Sequence, residues 1–410
     1  MVSCLIQLST FMSQTTELKA GTPAFRRANW ALILGGFACF TLLYGTQPLL
    51  PEFTESFGIS PTMASLTVSA GTLTLAFLLI PRSMLSDKFG RAPLMKGALL
   101  GATLFAWASA FAPNFEWLVL SRAGVGACIA ALPAAAMAYL GEEISASSRG
   151  KVMGMYIAGN ALGGMFGRFL SAVVTQYSNW HYGLAALALV GIICTLLFWK
   201  LLPQARHFKP RSLAPGALWI DVRRIYSDPG LPWLFTTAFL IMGAFVSIYN
   251  YLGFRLSEAP YNLGPAAIGT VFLLYALGSA SSALAGHLVD QYGRGKIMLI
   301  MISAMALGVL ATLDSQLTVI IFGLALFTFG YFATHAIASG WVGFRAGERR
   351  GLVSALYLSS YYLGSSFLGS TSGPLWTNYR WPGMVVGLMV CVGLVFAIGL
   401  YLSRMEKTAR

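Results

Sequence analysis

One recurrence constrains this chain more than any other feature. Apolar stretches follow one another from residue 29 to residue 403, and each has the roughly 20 residues a helix needs to cross about 30 Å of hydrocarbon. They cover 29–50, 63–85, 94–112, 116–140, 151–175, 182–202, 232–256, 265–289, 297–313, 317–341, 352–374 and 383–403. Lipid offers no water to the main chain, so runs of this length are predicted to be α-helices rather than strands. The short alternating segments of a membrane barrel are absent. Composition agrees, since 57% of the 410 residues are hydrophobic and 10% charged, against about 25% charged in soluble domains. The 13% aromatic content and 44 glycines suit helices that pack closely in a bilayer. The predicted fold class is all-α, a polytopic integral membrane protein with twelve transmembrane helices.

The net charge of +13 is topological. With the amino terminus in the cytoplasm, 23 of the 27 Lys and Arg fall in cytoplasmic segments or at their helix ends; Arg380 lies in an outer loop, and Arg122, Arg168 and Arg255 lie within helices. That asymmetry predicts that both termini are cytoplasmic. Basic residues scattered over seven segments form no continuous soluble face, so a nucleic-acid partner is not expected. Cys39, Cys128, Cys194 and Cys391 fall in apolar helices and Cys4 in the tail, with no spacing for a metal or a disulfide framework. No Gly-x-x-x-x-Gly-Lys loop is present, so ATP is not expected to drive the protein and no cofactor is expected. The tail before Ala28 lacks the basic-then-apolar pattern of a cleaved signal, and Met12 is an alternative start.

Residues 203–230 interrupt the pattern with Pro203, Pro210, Pro215 and Pro229 in a polar, basic stretch. Its length and midpoint position mark a linker. The predicted organisation is a cytoplasmic tail (1–28), a six-helix half (29–202), the linker, a second half (231–403) and a short tail (404–410). Internal repetition supports it. Ser86-Asp87-Lys88-Phe89-Gly90-Arg91 reappears 203 positions on as Val289-Asp290-Gln291-Tyr292-Gly293-Arg294. Arg149-Gly150 with Val152, Tyr156, Leu162 and Gly163 reappears 201 positions on as Arg350-Gly351 with Val353, Tyr357, Leu363 and Gly364. Repeated halves that bind at their interface are a common architecture of secondary transporters.

The Asp-x-[Phe/Tyr]-Gly-Arg loops after the second and eighth runs resemble the signature of the major facilitator superfamily, and the resemblance spans essentially the whole chain. The signature opens with Gly four residues before the Asp; Gly286 matches, and Ser83 stands there in the first half. Arg122-x-x-x-Gly126 resembles the buried-arginine motif of the fourth helix. Gly159, Gly163 and Gly167 resemble the glycine-rich antiporter motif of exporters, with Gly164 where that motif has Pro. Tyr44-Gly-Thr-Gln-Pro-Leu-Leu-Pro51, Tyr249-Asn-Tyr-Leu-Gly-Phe-Arg255 and His335-Ala-Ile-Ala-Ser-Gly-Trp341 are similar to stretches of the drug/proton-antiporter-like branch, in particular YnfM-type bacterial inner-membrane transporters. The resemblance implies two pseudo-symmetric six-helix halves working by alternating access, with the fifth and eleventh helices facing each other.

Individual residues follow. Asp87 at the end of the second helix can meet the positive amino-terminal end of a neighbour. The resemblance places the start of the eleventh helix, near Gly351, beside it, with Arg91 free to pair with Glu142 or Glu143. Asp87, Gly90, Arg91, Glu142, Arg149, Asp290, Gly293 and Arg294 are therefore candidates for a conformational switch; a plain tight turn with solvated charges is the alternative. Arg122 and Arg168 are predicted to reach the outer half of the bilayer, where an Arg faces a wet cavity or a partner, or else snorkels to the interface. They join Tyr44, Gln47, Asn160, Tyr249, Asn250, Tyr357 and Tyr361 as candidate cavity residues, each with a role as core filler as the alternative. All fourteen acidic residues fall outside the predicted helix interiors. A cavity with arginines and no buried carboxylate favours anionic or neutral solutes. His335 is the most interior group that titrates near neutrality, and is either a proton-coupling candidate or a neutral hydrogen-bonded side chain. Gly126, Gly159, Gly163, Gly167 and Gly364 are read as packing residues.

The expected function is proton-coupled export of a small organic solute by a monomer in the bacterial inner membrane. Uptake of an organic anion is the alternative transport reading. A membrane enzyme would need a clustered catalytic set, and four dispersed histidines supply none. A sensor would need a soluble output domain, which no segment provides.

Overall fold

The computed structural model describes residues 17–208 and 215–408; Cys4, Met12, Pro210 and the rest of the first sixteen residues lie outside them. The membrane helices are α1 (Pro23–Phe57), α2 (Pro61–Phe89), α3 (Arg91–Ala110), α4 (Phe115–Glu143), α5 (Ala146–Tyr177) and α6 (Trp180–Leu201), then α7 (Leu231–Ser257), α8 (Pro265–Tyr292), α9 (Arg294–Ala311), α10 (Leu317–Arg345), α11 (Arg350–Thr371) and α12 (Gly373–Thr408). Ten combine the length and hydropathy of a membrane span. The other two, α3 and α11, are 20 and 22 residues long, enough to cross at about 1.5 Å per residue, but Lys96 and a run of Ser and Tyr make them more polar. There is no β-strand among the described residues.

Local chemistry sets the ends. Thr22, Ser60, Asn114 and Asn179 cap α1, α2, α4 and α6 by accepting hydrogen bonds from main-chain amides of the first turn. Proline opens α1, α2, α7 and α8, where its missing N–H costs nothing. The glycine of the repeated loop has a conformational reason. Gly90 (φ 98°) and Gly293 (φ 88°) are single residues between α2 and α3 and between α8 and α9. A reversal that tight needs a positive φ, which only glycine adopts without strain.

The halves repeat each other in packing as well as in sequence. In the first, α1 packs on α5 and α6, α2 and α3 on α4, and α3 on α6; in the second, α7 packs on α11 and α12, α8 and α9 on α10, and α9 on α12. The halves meet along two related seams, α2 against α11 and α5 against α8. This arrangement corrects one expectation. The glycines of α5 do not face α11; a Cβ on Gly159, Gly163 or Gly167 would run into the backbone of Ile33, Phe37 or Thr41 of α1. Gly364 meets Phe239 of α7 in the same way, and Gly126 meets Gly71 of α2. The glycines therefore tighten each half rather than form a sliding seam between halves.

The outer surface exposes large apolar side chains such as Phe77 (65%), Leu104 (60%) and Phe322 (65%), as a lipid-facing wall must. The linker differs from its proline-rich reading, because Pro215–Tyr226 forms a helix of its own.

Candidate transport site

The site starts from a break in α1. Its first α-helical stretch stops at Tyr44, and Gly45, Thr46 and a short 3₁₀ turn over Gln47–Leu49 precede the final stretch Leu50–Phe57. A helix that stops leaves its last carbonyls without intrahelical donors. Arg122 supplies them: its Nη2 donates to the carbonyls of Leu42 (2.7 Å) and Leu43 (2.5 Å), and Nε to that of Thr67 (3.4 Å). Ser171 of α5 donates to the carbonyl of Gly45 at 2.6 Å. Arg122 is 2% exposed. The placement of Arg122 in the cavity is thereby corrected: its head group is engaged by α1 and α2 main chain, where a cation at a helix carboxyl end is favourable.

Arg168 is different. Its Nε donates to Gln47 Oε1 (2.7 Å) and its Nη1 to the carbonyl of Gly164 (2.7 Å). Gln47 Nε2 donates in turn to Asn250 Oδ1 (2.8 Å), and Asn250 Nδ2 to the carbonyl of Gly369 (3.2 Å). One chain of hydrogen bonds thus runs from α5 through α1 and α7 to α11 and crosses between the halves. The guanidinium lies over the rings of Tyr44 (4.5 Å), Tyr275 (4.9 Å) and Phe272 (5.3 Å), a favourable stack for a desolvated cation.

An aromatic wall continues from there. Tyr249 Oη shares a hydrogen bond with Thr328 (2.7 Å) and Tyr331 with Tyr361 (2.6 Å). Phe245 stacks on Tyr331 with centroids 3.8 Å apart. His335, half-buried, joins Tyr357 through Nδ1 at 3.0 Å and lies 4.8 Å from the Tyr361 ring. The hydroxyls of Tyr44 and Tyr275 and the Asn160 side-chain oxygen are buried without a hydrogen-bond partner among the described residues. Tyr275, Tyr331, Phe245 and Phe272 carried no signal in the sequence, because an aromatic residue in an apolar run reads as core. Asn160 sits lower on α5, against Gly36 of α1.

The two ends of the bundle are unlike. At the end away from the termini the halves are in contact: Thr72 with Ser366 (2.7 Å), Ser69 with Ser370 (2.6 Å), Ser65 with Ser370 (3.1 Å), and Gln176 of α5 against Gly264 at the start of α8. At the termini end, Gly150 and Gly154 of α5, Gly286 of α8, Gly340 and Gly343 of α10 and Gly351 of α11 have open space where a Cβ would stand. Among the described residues, none of the ion pairs there joins the first half to the second. Arg91 bridges Asp87 (2.5 Å) and Glu142 (2.8 Å). Arg149 holds the carbonyl of Ile144 (2.8 Å) and Glu17 (3.5 Å). Glu143, the alternative partner for Arg91, instead accepts from the amides of Arg206 and His207 at 2.7 Å and fixes the start of the linker. In the second half Asp290 is exposed. The amides of Arg294 and Gly295 donate to Glu406, and the Arg294 guanidinium lies 4.3 Å from the Phe344 ring.

A pair of six-helix halves around a polar, aromatic interface shut at one end defines a solute transporter of the alternating-access class. Comparison with known proteins agrees. The Major Facilitator Superfamily model matches residues 32–369 and 256–410, and the chain belongs to that family. It is 43% identical over 381 residues to the inner membrane transport protein YnfM of Escherichia coli, covering 93% of this chain and 91% of that one. It is 41% identical over 394 residues to the MFS-type transporter YybF of Bacillus subtilis, covering 96% and 97%. A bacterial homolog of the human lysosomal transporter Spinster, solved inward-facing and unoccupied, superposes with a TM-score of 0.78 at 16% identity, covering 93% of this chain and 98% of that one. The protein is therefore a multi-pass membrane transporter, and its homologues are transporters rather than enzymes.

Proposed function

We propose that this protein is a proton-coupled exporter of small organic anions or neutral polar solutes, acting as a monomer in the bacterial inner membrane with both termini in the cytoplasm. The observation that carries the reading is Arg168: a buried cation with no acidic partner among the described residues, placed where hydrogen bonds cross between the halves. An anion gains from such a charge and a monocation is repelled by it. The similarity to YnfM supports the inner-membrane location, and the clustering of Lys and Arg near the termini end supports the orientation. In this reading His335 carries the coupling proton, because it is half-buried beside Tyr357 and Tyr361, on the termini side of the hydrogen-bonded relay from Arg168 to Gly369.

Inverted membrane vesicles energised by respiration test it, with matched anionic, neutral and cationic solutes. Anion accumulation that collapses with a protonophore and is lost in Arg168→Ala is the expected result. Robust transport of cations that is indifferent to Arg168→Ala refutes the substrate class. Accumulation that survives the protonophore refutes the coupling.

A further inference from the structure

The linker helix Pro215–Tyr226 turns one face outward, with the Tyr226 ring at its end packed edge-on against Phe235 of α7 at 5.7 Å. Trp219 (71% exposed), Ile220 (66%) and Tyr226 (50%) share it with the exposed Arg223 and Arg224. Positions 219, 223 and 226 form one helical row and 220 and 224 the next, so these side chains are adjacent. Arg223 and Arg224 make no ion pair among the described residues. The opposite face is fastened down. Ile225 is buried, Asp221 pairs with Arg349 at 2.7 Å, and Asp228 just beyond the helix pairs with Arg345 at 2.9 Å while capping the start of α7. The tethers hold the helix at the level where α7 begins and α10 ends. Aromatic side chains already mark that level on the lipid-facing wall. Trp199 lies in the last turn of α6, and Trp233 in the first turn of α7 contacts Tyr401 of α12 at 5.7 Å.

We propose that this face docks on the bilayer surface and binds anionic phospholipid headgroups, with Trp219 and Ile220 at the acyl boundary and Arg223 and Arg224 on the phosphates. Aromatic and aliphatic groups beside paired arginines are the composition of an interfacial helix, and the two positive charges fix the sign of the lipid. The linker is then a membrane-tethered strap whose position follows lipid charge. The inference is independent of substrate, coupling and direction of transport.

The test places a nitroxide at Ile220→Cys in full-length protein lacking its native cysteines, reconstituted in nanodiscs of phosphatidylcholine with or without phosphatidylglycerol. With phosphatidylglycerol, oxygen should reach the label more readily than a water-soluble nickel complex, as at a lipid boundary, whereas a label at Ser315→Cys should stay open to nickel. Arg223→Gln with Arg224→Gln should weaken surface partitioning about 30-fold and return the label to its behaviour in phosphatidylcholine. Three results would overturn the proposal: a label equally open to nickel in both lipids, a phosphatidylglycerol response that survives the double substitution, or inorganic phosphate alone reproducing the response.

Discussion

Replacing Asn250 by Ala should open the end of the bundle that the structure shows shut. Asn250 is fully buried, accepts from Gln47 and donates to the carbonyl of Gly369. Its loss leaves Gln47 Nε2 without a partner while the halves are pressed together, and once they part water satisfies it; the bond from Asn250 to the Gly369 carbonyl lies within the second half and does not distinguish the two states. A buried polar group left unpaired costs about 1–3 kcal/mol. At the low end, the shut state loses about 1 kcal/mol relative to the open one, a shift of about 5-fold in their ratio. The assay is a distance distribution between spin labels at Tyr177→Cys and Ser315→Cys, which stand exposed at that end of opposite halves. The long-distance population should grow in Asn250→Ala. Gln47→Ala should reproduce much of the effect, and the double variant should fall short of the sum. An unchanged distribution in Asn250→Ala would show that the relay does not select between states.

Three further outcomes are expected. Asp87→Asn should cripple transport while leaving abundance and membrane insertion intact, whereas Asp290→Asn, whose side chain is exposed, should be milder; equal transport rates for Asp87→Asn and parent would refute a switch role. Gly163→Ala should lower the thermal midpoint and yield sharply because its Cβ would strike the Phe37 carbonyl, while Gly154→Ala, with open space around it, should be neutral or stabilising by up to about 1 kcal/mol. Asp228 is held below the usual carboxylate range: burial raises its pKa, but hydrogen bonds from Arg345 and from the amides of Gly230 and Leu231 together outweigh it. Its stabilisation should be present above the ordinary carboxylate pKa and disappear as pH falls through the lowered native value, so acid unfolding monitored by tryptophan fluorescence should flatten in that window in Asp228→Asn.

How much of this was legible depended on whether a residue's role is set by its neighbours in sequence or in space. The twelve spans follow from run length alone, and the repeated loop was readable because a one-residue reversal needs Gly90 and Gly293. The break in α1 was not read, although Gly45, Pro48 and Pro51 signal it, because an uninterrupted apolar run over 29–50 masks punctuation. The glycine stripe of α5 declared close packing, but only the fold says that the partner is α1 and not α11. Arg122 and Arg168 looked alike, two lone cations at similar depth. One meets carbonyls freed by the break in α1, the other the side chain of Gln47, and no periodicity distinguishes a cation aimed at main chain from one aimed at a cavity.

The relay itself explains why one charge stands at the interface. Gln47 and Asn250 are 203 positions apart, the offset that relates Asp87 to Asp290, and Arg168 and Gly369 are 201 apart, the offset that relates Gly163 to Gly364. The hydrogen-bonded chain is thus nearly palindromic: matching positions meet at its centre and matching positions lie at its ends. Strict symmetry would give either two arginines or none. Two would set like charges at both ends of one buried chain, where they repel more strongly than they would in water. None would leave Gln47 Oε1 without the donor that Arg168 supplies. Glycine at the second end avoids the repulsion and offers only its carbonyl, which Asn250 takes. The backbone is symmetric and the charge is not, so the field at the interface points from the first half toward the second. An anion held there would bridge Arg168 to the tyrosines of α8, α10 and α11, and would draw the halves together by contacts that neither half can make alone.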